Sequence, residues 1–148
     1  MQNSSDALPA SDLGRALLAY DEARRAATAK ARRTLSLNEL DAKALLFVAE
    51  NPGARPSHVR DHLGITSAGV TTLIDRLVQR GAVRRDLDAE DRRVNHITAT
   101  VDLNSPPWCS LRGFDNAVEA GVATMDPAEA EHVVNVLRRL TAAGTAAG

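Results

Sequence analysis

Aromatic residues are scarce in this 148-residue chain: Tyr20, Phe47, Trp108 and Phe114 are all it has. Stacking of unpaired bases needs several rings on one face, so a platform for single-stranded nucleic acid is disfavoured. A single cysteine, Cys109, excludes an internal disulfide framework. No apolar run approaches the roughly 20 residues that cross a bilayer, so no membrane partner is expected. Excess charge is missing too, since the formal net charge is −1. Any attraction to a polyanion must then come from local arrangement. No phosphate-binding loop and no strand–turn–helix nucleophile elbow frames the Ser, His and Asp residues present. The sequence therefore predicts neither an enzyme nor a cofactor. Residues 1–12 are polar and lack the apolar segment of a secretory signal, which points to a cytoplasmic protein.

The length suits one domain with helical extensions. Residues 1–10 read as a disordered leader and 11–148 as a single domain. Ser11 is placed to cap a helix to about Arg33, with Leu13, Ala16, Leu17, Tyr20, Ala23 and Ala27 at helical spacing. After a connector, Asn38 caps an apolar helix that ends at the Asn51-Pro52-Gly53 turn. A short helix is expected over 57–63, with Ser57 as N-cap and Gly64 as the stop. Thr66 or Ser67 caps the next helix, which runs to about Arg80 and ends at Gly81. Two short strands are expected near 82–86 and 93–98, joined by a turn at 88–91. Pro106-Pro107 opens a helix over roughly 108–124. Asp126-Pro127-Ala128-Glu129 starts the last helix, whose apolar stripe is Val133, Val136, Leu137 and Leu140.

The chemistry concentrates between residues 55 and 98. Val59 and Leu63 face inward from the first short helix, and Val70, Leu73, Ile74 and Leu77 from the second. The opposite face of the second helix carries Ser67, Ala68, Gly69, Thr71, Thr72, Asp75 and Arg76. Small hydroxyl residues near a helix N-terminus let a backbone approach base edges, and free N–H groups there favour a phosphate. Arg76 and Arg80 lie further along, in positions suited to phosphates. The turn that follows holds Asp91, Arg92 and Arg93. An arginine at its tip, Arg92 or Arg93, can enter a narrow minor groove, where the potential is most negative. Asp88 and Asp91 are close enough to brace it. The segment 55–96 holds eight arginines, no lysine and six acidic residues, so the local excess is small. The fold class these signals define is mainly α: a winged helix-turn-helix with a two-stranded β-wing.

The stretch VRDHLGITSAGVTTLIDRLVQRGAVRR, followed by the wing DAEDRRVNHIT, resembles the MarR (multiple antibiotic resistance regulator) family. The family pattern has a leucine-glycine turn, a Ser/Thr-rich recognition helix, Asp-Arg-Leu, Arg-Gly, then Asp-x-x-Asp-Arg-Arg and a Leu-Thr pair, where this chain has Ile97-Thr98. The resemblance implies a homodimeric transcriptional regulator that binds double-stranded DNA. Its N- and C-terminal helices, 11–34 and 105–142, would form the dimer interface, and 38–100 the winged helix-turn-helix. Ser67, Thr71 and Thr72 map to the recognition surface and Arg92 to the wing tip. A small effector, often aromatic or phenolic, would bind between the dimer helices and the DNA-binding lobe and release the DNA. Repression at a pseudo-palindromic operator is the default mode.

The chain departs from that pattern after Thr98, where the family continues with a glycine and a long helix. Here Ala99 to Pro107 intervene, which predicts a late or distorted start to the fifth helix. Gly69 inside the recognition helix costs about 1 kcal/mol relative to alanine. His58 and His62 share a metal-compatible spacing, but no third ligand accompanies them and no metal is expected. Cys109 reads as a buried structural thiol. The competing reading is a winged-helix protein-interaction module without specific DNA binding, kept open by the weak local charge.

Overall fold

The computed structural model describes residues 11–92 and 94–147. The leader expected over 1–10 and one wing-tip candidate, Arg93, lie outside the described residues. The chain divides into two compact units, residues 1–113 and 114–148.

The first unit begins with α1 (Asp12–Thr34), whose N-terminal amide at Gly14 is taken by the Ser11 hydroxyl at 3.0 Å. α2 (Glu39–Glu50) is capped by Asn38, which accepts the Asp41 N–H at 2.8 Å. α3 (Pro56–Leu63) starts one residue before the expected cap. Pro56 occupies the first helical position, where its missing N–H costs nothing, and the His58 ring faces the Arg55 N–H at 3.4 Å. Ser57 is therefore inside the helix and is not its cap. The α3 helix stops at Gly64, whose φ of 64° is accessible to glycine at little cost.

α4 (Ser67–Gln79) settles the open choice of cap: the Thr66 hydroxyl accepts the Gly69 N–H at 3.1 Å. Its inward stripe, Val70, Leu73, Ile74 and Leu77, is fully sealed from water. The stripe packs with Leu45 and Val48 of α2, Val59 of α3 and Ile97 into one apolar cluster. β1 (Val83–Leu87) and β2 (Asn95–Ala99) pair antiparallel, with Asp86 opposite His96. Both strands sit one or two residues later than expected.

A further edge joins this sheet. Ile97 donates to the Ala54 carbonyl at 2.8 Å, and Gly53 donates to the Ile97 carbonyl at 3.1 Å, so the α2–α3 turn flanks β2 on the side away from β1. The segment after β2 is irregular, as the intervening residues predict. Asp102 caps a turn by accepting the Asn104 N–H at 2.9 Å. Residues Trp108–Arg112 form a 3-10 turn, and regular helix resumes only with α5 (Gly113–Val122).

The second unit holds most of α5 and α6 (Pro127–Thr145), the latter capped by Asp126 through the N–H groups of Ala128 and Glu129. Neither helix buries a residue. Val133, Val134, Leu137 and Leu140 are each more than 40% exposed, a continuous apolar stripe open to solvent. Among the described residues no helix is long and apolar enough to cross a membrane.

Candidate nucleic-acid interface

The outward face of α4 follows from its inward one. With Val70, Leu73, Ile74 and Leu77 buried, the helical period turns Ser67, Ala68, Thr71, Thr72 and Asp75 to solvent. Thr71 and Thr72 donate their hydroxyl protons to the Ser67 and Ala68 carbonyls one turn back, each at 3.1 Å. What they present outward is then oxygen lone pairs and methyl groups. Gly69 has a local reason: a Cβ built there would lie 3.2 Å from the Thr66 Oγ1. The missing side chain leaves room for the hydroxyl that caps the helix. The start of α4 faces that of α3 across a depression of about 230 Å³ lined by Pro56, Ser57, Arg60, Ser67, Val70 and Thr71.

The arginines divide into two groups. Arg76 grips the buried carboxylate of Asp41 with two bonds, Nη2 to Oδ1 at 2.6 Å and Nε to Oδ2 at 3.1 Å. Arg80 donates to the Leu35 and Ser36 carbonyls, both at 2.8 Å. The two residues that the helical spacing offered to phosphates thus hold α4 against α2 and the α1–α2 connector. Arg60 pairs with Asp61, Arg84 with Asp86, and Arg85 with Asp75. Arg55 and Arg92 make no ion pair among the described residues. Arg92 is exposed in the wing turn, and Arg55 is exposed at the N-cap of α3. Sequence reasoning singled out Arg92 but passed over Arg55, because nothing local separates it from the other arginines.

The wing turn is built around Asp88. One carboxylate oxygen accepts the N–H groups of Glu90 at 2.8 Å and Asp91 at 3.1 Å, and the other meets His96 Nε2 at 2.8 Å. Read from the sequence as a brace for an arginine, Asp88 here takes a histidine and two turn amides. The His96 bond, then the two amide bonds, hold its carboxyl down to about 2. The other His96 nitrogen, Nδ1, lies 2.8 Å from the Gly53 carbonyl. The Asp88 bond, followed by the Gly53 contact, raises the His96 pKa above the usual imidazole value. Asp91 is exposed in the same turn.

His62 stacks on Phe47 with ring centroids 4.3 Å apart, while His58 faces the Arg55 amide. The described residues contain no group of three or more His, Cys, Asp or Glu side chains placed to hold a metal ion. Cys109, in the 3-10 turn, is half-buried.

Two helices meeting at a glycine turn, the second with a polar outward face and followed by a β-hairpin, define a winged helix-turn-helix. Residues 35–94 match the model of the MarR family. No curated protein matches the chain. Among solved structures, MepR of Staphylococcus aureus bound to ethidium bromide superposes with a TM-score of 0.67 at 16% identity, covering 91% of this chain and 96% of that one. A mutant MepR bound to an oligodeoxyribonucleotide gives 0.59 at 15% identity, covering 90% and 98%. The YusO protein of Bacillus subtilis gives 0.63 at 16% identity, covering 89% and 94%. The chain has the fold of MarR-family transcription regulators over nearly its whole length.

Proposed function

We propose that this chain is a homodimeric, cytoplasmic transcriptional regulator that binds double-stranded DNA. The carrying observation is the exposed Ser67–Thr72 face of α4 beside a wing whose exposed Arg92 makes no ion pair among the described residues. In this reading α4 enters the major groove, where Ser67, Thr71 and Thr72 meet base edges. Arg92 and Arg93 reach the adjacent minor groove. Ala68 and Gly69 keep the helix start slim enough for close approach. Arg55 supplies a phosphate contact, and Arg76 and Arg80 act mainly by fixing the angle at which α4 is presented.

A second copy of the chain covers the apolar stripe of α6, and two recognition helices then read half-sites about 34 Å apart. Repression follows from occupancy of a promoter. The effector is a small aromatic or phenolic molecule. What supports a ligand on this chain is a groove of about 570 Å³ between α1 and α2, lined by Arg24, Arg25, Arg32, Lys43 and Leu46 among others. The buried Nε of Arg32 has no hydrogen-bond partner among the described residues. A phenolate or carboxylate oxygen would satisfy it, with the ring lying along the apolar stems.

Fluorescence anisotropy on DNA from the gene's own upstream region tests the reading, at two salt concentrations and against a scrambled duplex. Specific binding that weakens with salt is expected, because neutralised phosphates release counterions. Arg92→Ala should weaken binding several-fold with the fold intact. The competing reading, a protein-interaction module, draws on the internal pairing of Arg60, Arg76, Arg80, Arg84 and Arg85. A folded protein that binds neither duplex would favour it.

A further inference from the structure

The wing contains a hydrogen-bond chain that the sequence pattern does not require. It runs from the Gly53 carbonyl through the His96 ring to the Asp88 carboxylate, and from there to the Glu90 and Asp91 amides beside Arg92. Both ends of the histidine face oxygens that can only accept: a peptide carbonyl on Nδ1 and an ionised carboxylate on Nε2, each at 2.8 Å. A neutral imidazole carries one N–H and would turn a lone pair toward one of these oxygens. Only the doubly protonated ring satisfies both.

Asp86, the cross-strand partner of His96 on β1, accepts from Arg84 and from the Thr98 hydroxyl and adds negative charge nearby. Arg55 at the α3 N-cap opposes protonation. Asp88 stays ionised throughout the range in which a histidine titrates, since its own carboxyl is held near 2. The Gly53 end of the chain is fixed independently, because Gly53 and Ala54 bond to Ile97 of β2. The end that can let go is the turn.

We propose that His96 is the positioning residue of the wing: its imidazolium clasps the hairpin turn to the α2–α3 turn, and loss of one ring proton frees the turn that carries Arg92. The DNA-binding consequence rests on the regulator reading above. Affinity falls as pH rises past the His96 midpoint, both because the turn loosens and because a positive charge leaves the wing. Phosphodiesters do not titrate in this range, so the dependence belongs to the protein. A group whose pKa is raised in the folded state contributes its full stability below its unfolded value, and that contribution is lost as pH rises through the folded one.

The test has two readouts on the full chain. In the first, NMR follows the His96 ring and the Glu90 and Asp91 amides through a pH titration. The ring should titrate above the usual imidazole value and the amides should shift with the same midpoint. In Asp88→Asn, which keeps the shape and removes the charge, that midpoint should drop. An unchanged His96 midpoint in Asp88→Asn, or turn amides that ignore it, would overturn the clasp whether or not the protein binds DNA.

In the second readout, anisotropy across the same pH range should show wild-type affinity falling by a factor of several, at most about tenfold per pH unit for one linked proton. His96→Gln should flatten that slope. If His96→Gln, shown folded by circular dichroism, keeps the wild-type slope, His96 does not position the wing for DNA. Absence of DNA binding at every pH would instead count against the regulator reading and leave the clasp to be decided by the titration.

Discussion

Replacing Arg76 with alanine isolates the contact that seats α4 against α2. The Asp41 side chain is only 6% exposed, whereas the Arg76 side chain is 42% exposed. Their two bonds join residues 35 positions apart. Arg76→Ala leaves a buried carboxylate supported on its side-chain oxygens by the Asn38 amide at 3.0 Å. Stripping one partner from a fully buried ion pair costs about 3–5 kcal/mol. Water reaches the guanidinium side here and can replace part of what is lost, so a cost of about 2 kcal/mol is expected. Asp41→Ala removes the buried charge itself and lets Arg76 turn into solvent. Its cost should be about 1 kcal/mol, the net value of the lost charge-assisted bonds after solvation of the freed guanidinium.

The double variant should therefore cost less than the two single ones together, by about 1 kcal/mol of coupling. Urea unfolding of the four proteins at one protein concentration measures this directly. In a thermal melt, Arg76→Ala should lower Tm by roughly 4–8 °C, since each kcal/mol shifts a chain of this size by about 2–4 °C. Strictly additive losses, or a greater loss from Asp41→Ala, would refute the assignment of Arg76 as the helix seat. A large loss of DNA affinity in Arg76→Ala without a matching loss in Asp41→Ala would move Arg76 back among the phosphate contacts.

Leu137→Glu places a charge in the middle of the exposed α6 stripe. It should dissociate the proposed dimer to monomer in sedimentation velocity with little change in helix content, and a dimer that persists would place the interface elsewhere. Gly64→Ala puts a Cβ on a backbone at φ 64°. That should destabilise the chain by about 1 kcal/mol in urea unfolding, although nothing lies within 4 Å of the added carbon. A neutral result would mean that the α3–α4 turn relaxes freely.

The elements that local chemistry specifies were legible in the sequence. Ser11, Asn38 and Asp126 cap the helices assigned to them, and Gly64 and Gly81 stand at the left-handed stops. The exposed face of α4 was readable because four apolar residues at helical spacing leave no other orientation. Features that depend on distant partners were hidden. Nothing near Asp41 announces Arg76, and nothing near Arg80 announces the Leu35 and Ser36 carbonyls. The His96–Asp88 bond needs the exact strand register, which a shift of one residue would destroy. The Ala54–Ile97 bridge is a single residue pair, too short to leave a periodic trace. The start of α3 was misplaced because Pro56 accepts the first helical position and a histidine, not a serine, faces the free amide.

The seating of α4 has a mechanical corollary. Its polar ties to α2 and to the α1–α2 connector, through Arg76 and Arg80, lie toward its C-terminal end, while Ser67 stands at the other. Thirteen residues at 1.5 Å each separate Ser67 from Arg80, a lever of about 20 Å. A tilt of about 5° at the anchored end would swing Ser67 by about 1.7 Å, more than half the length of a hydrogen bond. Because Arg80 holds the carbonyls of Leu35 and Ser36, a small displacement just past the end of α1 is geared up into a larger one at the Ser67 tip of α4.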